Sequence, residues 1–431
     1  MKFFLLSFTF LSLYVRASRD IEDYQKYAMF AQNAERAKPA KAIKTQLPLK
    51  LSKHTRIALI GNTLFDRLRN FGHFEALLQQ GHPNHDLIVR NLAWSADEID
   101  LQPRPDNFAD TNQHLTAMNA DIIIAAFGYN ESFAGIEKIS NFKIRLQTYL
   151  ANLKAASYNG VSAPGVVLVS PIANENVEGV DAGDMNNRRI LAYTKAMQEI
   201  CAKEEVGFID CYSPISKSMK DTKRNLTING CHLNEFGYQQ LAKILYESLT
   251  GNSPPQLNQD VRAAVLEKNT QHFYRYRPLN TFYYTGGRKG KYGYLDFLPA
   301  MKNFDLMTSN RDQRIHRLVK GENPSPIIDD SNVPPLPETQ QSRGANQWMN
   351  PQQELDAFEI DPRFDVSLFA SEEEFPDIAC PIQMRWDSKG RMWVSCSTTY
   401  PHVYPGQSPN DKIVILEDLD QDGKADKCSV W

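Results

Sequence analysis

Four short polar clusters hold the side chains suited to chemistry: Gly61-Asn62-Thr63-Leu64, Trp94-Ser95-Ala96-Asp97, Gly128-Tyr129-Asn130-Glu131 and Asn229-Gly230-Cys231-His232-Leu233-Asn234. Together they offer hydroxyls, an imidazole, amides and backbone N–H groups. A hydroxyl is a poor nucleophile until an imidazole takes its proton, and the oxyanion that then develops needs fixed donors. The set suits acyl transfer, provided residues far apart in the chain meet in one place.

The intervening sequence supplies elements that bring them together. Apolar runs at 56–60, 86–92, 121–127, 165–170 and 206–211 are short and mostly β-branched, as strands buried on both faces are. Helical patterns at 65–80, 136–156, 187–204 and 235–250 alternate with them. A parallel crossover needs a dozen or more residues, which a helix provides, so the pattern predicts a parallel sheet with helices on both sides. In such sheets ligands bind beyond the carboxyl ends of the strands. The polar clusters fall at those tips.

Four clusters in this order resemble the blocks of SGNH (GDSL-type) hydrolases across residues 55–250, most specifically at Gly128-x-Asn130-Glu131 and Asn229-x-x-His232-Leu233-Asn234-x-x-Gly237. The resemblance implies a three-layer α/β/α, flavodoxin-like fold and ester hydrolysis without a cofactor. It places Thr63 on the nucleophile, His232 on the base and Asn229 on the residue behind the base. Thr63, Ala96 and Asn130 fall on the oxyanion donors. Asn62, Trp94 and Glu131 are expected to contact substrate, a small-molecule or glycan ester.

Three positions depart from the family pattern. Thr63 adds a β-methyl to the usual serine and stiffens χ1. Ala96 replaces glycine but keeps its N–H. Asn229 replaces an aspartate; in a serine-protease triad that change costs about 10⁴ in rate. A backbone carbonyl, Asp97 or Glu131 is an alternative orienter of His232, and Ser95 a rival nucleophile. The competing functional reading is a carbohydrate-binding module without turnover.

The 431 residues carry 48 Lys and Arg against 51 Asp and Glu, so no basic excess exists to neutralise a nucleic-acid backbone. Residues 1–17 read as a secretory signal peptide, with an uncleaved membrane anchor as the alternative, and imply an exported protein. Residues 18–54 read as an amphipathic segment and solvated lead-in, and 55–252 as the hydrolase-like domain. Residues 253–321 form an extension whose aromatics between Tyr274 and Tyr294 suit a lid core or a sugar platform. A Pro-rich linker follows at 322–353. Cys201 and Cys211 are the favoured disulfide pair, with buried free thiols as the alternative.

Residues 354–431 switch to short strands expected at 364–369, 382–387, 391–395 and 412–417, an incomplete all-β segment. The runs Asp387-Ser-Lys-Gly-Arg-Met-Trp393-Val394 and Ile413-Val-Ile-Leu-Glu-Asp418 resemble the start of a sugar-dehydrogenase-like β-propeller found in large exported haem-binding proteins of Planctomycetes and Verrucomicrobia. That resemblance implies further propeller and haem domains downstream as partners. Asp418, Asp420, Asp422 and Asp426 around Gly423 have the spacing of a loop for Ca²⁺, although Ser429 occupies the position where an EF-hand places its bidentate Glu.

Overall fold

The computed structural model describes residues 30–277, 281–283, 285–287, 298–335, 349–400, 403 and 406–431. The signal-peptide reading, the segment 19–29, Tyr284, Tyr292, Tyr294 and the linker residues 336–348 lie outside them. The chain divides into two units, residues 1–337 and 338–431.

In the first unit five strands form one parallel sheet: β1 (Arg56–Gly61), β2 (Ile88–Asn91), β3 (Ile122–Ala126), β4 (Gly165–Val169) and β5 (Gly207–Ile209), in the order β2-β1-β3-β4-β5. Alternate residues feed two cores. Ile57, Leu59, Ile122 and Ile124 pack with α2 (His73–Gly81) and α8 (Glu235–Thr250); Ala58, Ile60, Ile123 and Ala125 pack with α5 (Ile139–Lys154) and α6 (Gly183–Lys203). Burial on both faces explains why these strands read as apolar runs rather than as alternating patterns. The chain reverses its direction of winding at β1, between β2 and β3, and a crevice opens there at the carboxyl ends.

Several elements differ from the sequence expectation. The helix expected over 65–80 is α1 (Thr63–Asp66), a 3₁₀ turn (Arg67–Asn70) and α2, separated by left-handed Gly72. The helices α3 (Thr111–Ala117), α4 (Tyr129–Ser132), α7 (Tyr212–Asp221) and α10 (Leu298–Val319), and in the second unit one at Pro351–Asp356, were not anticipated. The extension contains two long helices, α9 (Gln259–Tyr276) and α10, and much of the aromatic stretch between them lies outside the described residues. Residues 322–335 are partly packed against it, through Arg311–Asp330 and the Asn303 amide on the Pro334 carbonyl. The lead-in is also not simply solvated. Residues 38–39 pair with 156–157, and Leu47, Leu49 and Leu51 pack on the core. Cys201 and Cys211 are buried free thiols, which corrects the disulfide expectation.

The second unit contains an antiparallel sheet of β6 (Pro381–Trp386), β7 (Met392–Cys396), β8 (Lys412–Glu417) and β9 (Lys427–Val430), ordered β9-β8-β7-β6. Asp387 closes the expected β6–β7 hairpin by accepting the backbone N–H groups of Lys389 and Arg391. Residues 364–369 are not a strand, and β9 was missed. Among the described residues no helix is long and apolar enough to cross a membrane.

Candidate active site

Gly61 ends β1 with φ +126°, and a Cβ there would lie 2.1 Å from the Ala126 carbonyl oxygen. Only glycine lets β1 run this close to β3 and then turn. The next residue, Asn62, caps α1 by accepting the Leu64 N–H at 3.1 Å. Thr63 therefore sits in the first turn of a helix directly above the strand tip, at the sheet's switch point.

Its hydroxyl accepts a hydrogen bond from the Ala96 N–H at 3.1 Å. Ala96 has φ +67°, a conformation usually left to glycine and one that an alanine holds only when its surroundings impose it. The Asn130 amide donates to the Ala96 carbonyl at 2.7 Å, which leaves its second N–H for a ligand. Three of the expected donors and acceptors are thus joined directly: Thr63, Ala96 and Asn130.

His232 comes from the loop before α8. A buried carboxylate that the sequence reading missed holds this loop: Glu175 accepts the N–H groups of Leu226 (3.0 Å) and Thr227 (2.8 Å) and the Thr227 hydroxyl (2.6 Å). Gly230, at φ +86°, lets the loop pass the Glu175 backbone, where a Cβ would come within 2.8 Å of the carbonyl oxygen. Asn229 Oδ1 then accepts the His232 backbone N–H at 3.0 Å and lies 3.1 Å from its Nδ1. A backbone N–H can only donate, so the oxygen end of the amide faces the ring. Nδ1 carries the proton, and Nε2, which has no hydrogen-bond partner among the described residues, is left basic. Burial, and secondarily the positive charge of Arg67, push the imidazole below its ordinary 6.5, so it is neutral at pH 7. The Cys231 thiol stands 3.2 Å from Nδ1, its pKa raised by burial.

Asn62, Thr63, Ala96, Asn130 and His232 line one cavity of about 250 Å³, whose apolar wall includes Phe127, Ile172 and Leu233. Among the described residues no hydrogen bond joins Thr63 to His232. A neutral base, a hydroxyl lining the same cavity and nearby N–H donors are the parts that acyl transfer requires.

Other expected site residues lie elsewhere. Trp94 does not line the cavity; its indole donates to the Tyr276 hydroxyl at 2.6 Å and is covered by Arg104 and Arg277. Glu131 is turned inward, where it accepts the Gly128 N–H at 2.8 Å and the Ile99 N–H at 3.0 Å. Burial pushes its pKa up to about 7. Both corrections have one cause: the side chains satisfy buried partners beside the tips instead of facing solvent. Asp97 is paired with Arg104 at 2.7 Å, so neither proposed carboxylate orients His232. Ser95 donates to Asp66 at 2.6 Å and lies off the cavity.

In the second unit, carboxylate oxygens of Asp418, Asp420 and Asp426 approach within 4.8 Å of one another, while Asp422 stays out of the group and accepts the Lys424 N–H. Asp418 also receives the N–H groups of Gln421 and Gly423, so the turn is held by its own backbone.

Residues 60–240 match the GDSL-like lipase/acylhydrolase family, and 350–431 match a domain of unknown function. Among solved structures, a GDSL-like protein of Parabacteroides merdae is 15% identical, aligned over 47% of this chain and 98% of its own with a TM-score of 0.38. The acetylxylan esterase Axe2 of Geobacillus stearothermophilus, in a catalytic mutant, is 17% identical over 46% of this chain and 95% of its own, also at 0.38. No curated protein matches the chain.

Proposed function

We propose that residues 55–252 hydrolyse esters of small molecules or acylated carbohydrates. Thr63 Oγ attacks the ester carbonyl while His232 Nε2 takes its proton. The Ala96 and Thr63 N–H groups and the Asn130 amide hold the oxyanion. The imidazolium then protonates the departing alcohol, and water, activated by the same nitrogen, releases the acid and restores the hydroxyl. The observation that carries this reading is the single cavity shared by Thr63, Ala96, Asn130 and a His232 ring whose free nitrogen is the basic one. Asn62 is proposed to contact substrate from the same wall. Purified chain should release p-nitrophenol from acetyl and butyryl esters and lose that release in H232A; no release above buffer across such a panel would remove the proposal.

A second reading is favoured by the missing Thr63–His232 hydrogen bond and by an amide behind the base: a degenerate cleft that binds an acylated glycan without turnover. The T63S/N229D double substitution separates the two, because a large gain from near zero means that the native cleft does not hydrolyse. We further propose an exported protein, with residues 354–431 as the opening strands of a propeller and Ca²⁺ as the ion for Asp418, Asp420 and Asp426. The antiparallel order β9-β8-β7-β6 supports the propeller reading and the convergent carboxylates the Ca²⁺ reading.

A further inference from the structure

The strained Ala96 follows two residues whose anchors include a helix end outside residues 60–240. Ser95 donates to Asp66 Oδ2 at 2.6 Å, and Asp66 Oδ1 accepts from Arg277 at 3.1 Å. Asp66 is the last residue of α1, the helix that begins with Thr63, and is 6% exposed. Arg277 follows the last residue of α9, and its guanidinium also lies 4.1 Å from the centre of the Trp94 ring. The adjacent Tyr276 accepts the Trp94 indole N–H at 2.6 Å and donates to the Leu92 carbonyl at 2.8 Å. The two residues immediately before Ala96 are thus each tied to the end of α9, one directly and one through Asp66. Near its start, the same helix reaches the loop region of the base: Arg262 donates to Glu235, the first residue of α8, at 2.7 Å and to the Phe71 carbonyl at 2.7 Å. Arg262 and Arg277 lie fifteen positions apart along and just past this helix, about 22 Å of helical rise.

We propose that Arg277 and Tyr276 are positioning residues for the oxyanion site: the end of α9 fixes the Trp94–Ala96 segment against α1 and so holds the Ala96 N–H on the Thr63 oxygen. Neither residue touches the reacting atoms. Their effect passes through Ser95, Asp66 and Trp94. An alanine in the left-handed region returns to ordinary backbone angles when its surroundings loosen, and a donor displaced by about 1 Å can cost roughly 10²-fold in rate. The inference assigns the helical extension a role in the proposed hydrolysis and rests on that reading for its kinetic consequence only.

The test uses the full chain with R277M, R277K, Y276F and S95A. On a p-nitrophenyl ester, R277M should lower kcat by about 10- to 100-fold with KM nearly unchanged, because the lost interaction forms mainly in the transition state. R277K should recover part of the loss, and S95A combined with R277M should cost less than the sum of the two. Amide hydrogen exchange should quicken in a peptide covering 93–98 in R277M and Y276F, with the sheet strands unchanged. Wild-type exchange at 93–98 in both variants would overturn the inference, as would equal losses in R277K and R277M. If the wild-type chain hydrolyses nothing, the functional proposal falls, and the exchange measurement alone still decides this one. If R277M does not fold, Y276F reads the same loop through the Trp94 contact.

Discussion

Asn229 Oδ1 meets His232 Nδ1 at 3.1 Å while holding the His232 backbone N–H at 3.0 Å, so an amide does here what a carboxylate does for tautomer choice. What it lacks is charge. An aspartate at 229 would keep both hydrogen bonds and stabilise the imidazolium, so N229D should raise kcat, but by less than the roughly 10⁴ of a serine-protease triad, where the amide also selects the wrong tautomer. The pH profile should move as well. Burial and Arg67 lower the native His232 pKa, so the acid limb of kcat/KM lies below 6.5; N229D should shift it upward, because a carboxylate favours the protonated ring. A native limb above 6.5, or an N229D limb shifted downward, contradicts this geometry.

Thr63 is the second position to test. Its hydroxyl is engaged by the Ala96 N–H and not by His232, so reaction requires a side-chain rotation or a bridging water. The β-methyl restricts that rotation. T63S should therefore match or exceed the native rate, whereas T63V, nearly isosteric but without the oxygen, should fall to background with only a small change in Tm. Native-level turnover by T63V would mean that another group attacks the ester.

The parallel sheet was legible because its strands are buried on both faces, and the tips were legible because Gly61, Asn62, Asn130 and Asn229 punctuate the apolar runs. Glu175 was not, since the groups it binds lie 51 and 52 residues downstream and nothing near it in sequence announces them. Trp94 and Glu131 were misread because adjacency to a tip does not say which way a side chain turns. For Glu131 a signal was present: a carboxylate three residues after Gly128 satisfies the N–H at the helix start, a capping pattern that predicts an inward role. The helix α10 was obscured by polar and charged residues spread through its sequence, and the strain at Ala96 is a property of φ that composition does not reveal.

Glu131 should leave a mark on stability. Its native pKa of about 7 exceeds the ordinary 4.5, so between these values the folded chain binds a proton that the unfolded chain has released. Stability from this group is therefore greatest at low pH and declines as pH rises from 4.5 to about 7. E131Q cannot titrate, and it also sets an amide N–H₂ against one of the two backbone donors, so it should melt lower than wild type. The Tm advantage of wild type over E131Q should shrink between about pH 5 and 7.5. An advantage that stays constant or grows with pH would show that Glu131 does not titrate in this range.

Calcium tests the C-terminal turn independently of the hydrolase reading. Three carboxylates whose oxygens approach within 4.8 Å repel one another without a counter-ion, and a hard cation relieves that repulsion by using lone pairs beyond those that accept the backbone N–H groups. Titration of the full chain with Ca²⁺ should give saturable heat at one site, with affinity in the roughly 10⁻⁴–10⁻³ M range of exposed extracellular modules. Ca²⁺ at 100 times Kd should stabilise the second unit by about 2.7 kcal/mol, visible as a rise in its melting temperature that chelator reverses. The D418N/D426N pair should abolish both signals, whereas D422N, outside the cluster, should weaken them little. Absence of heat at millimolar Ca²⁺, or equal losses in D422N and D418N/D426N, would leave the acidic turn as a backbone-held loop with no ion.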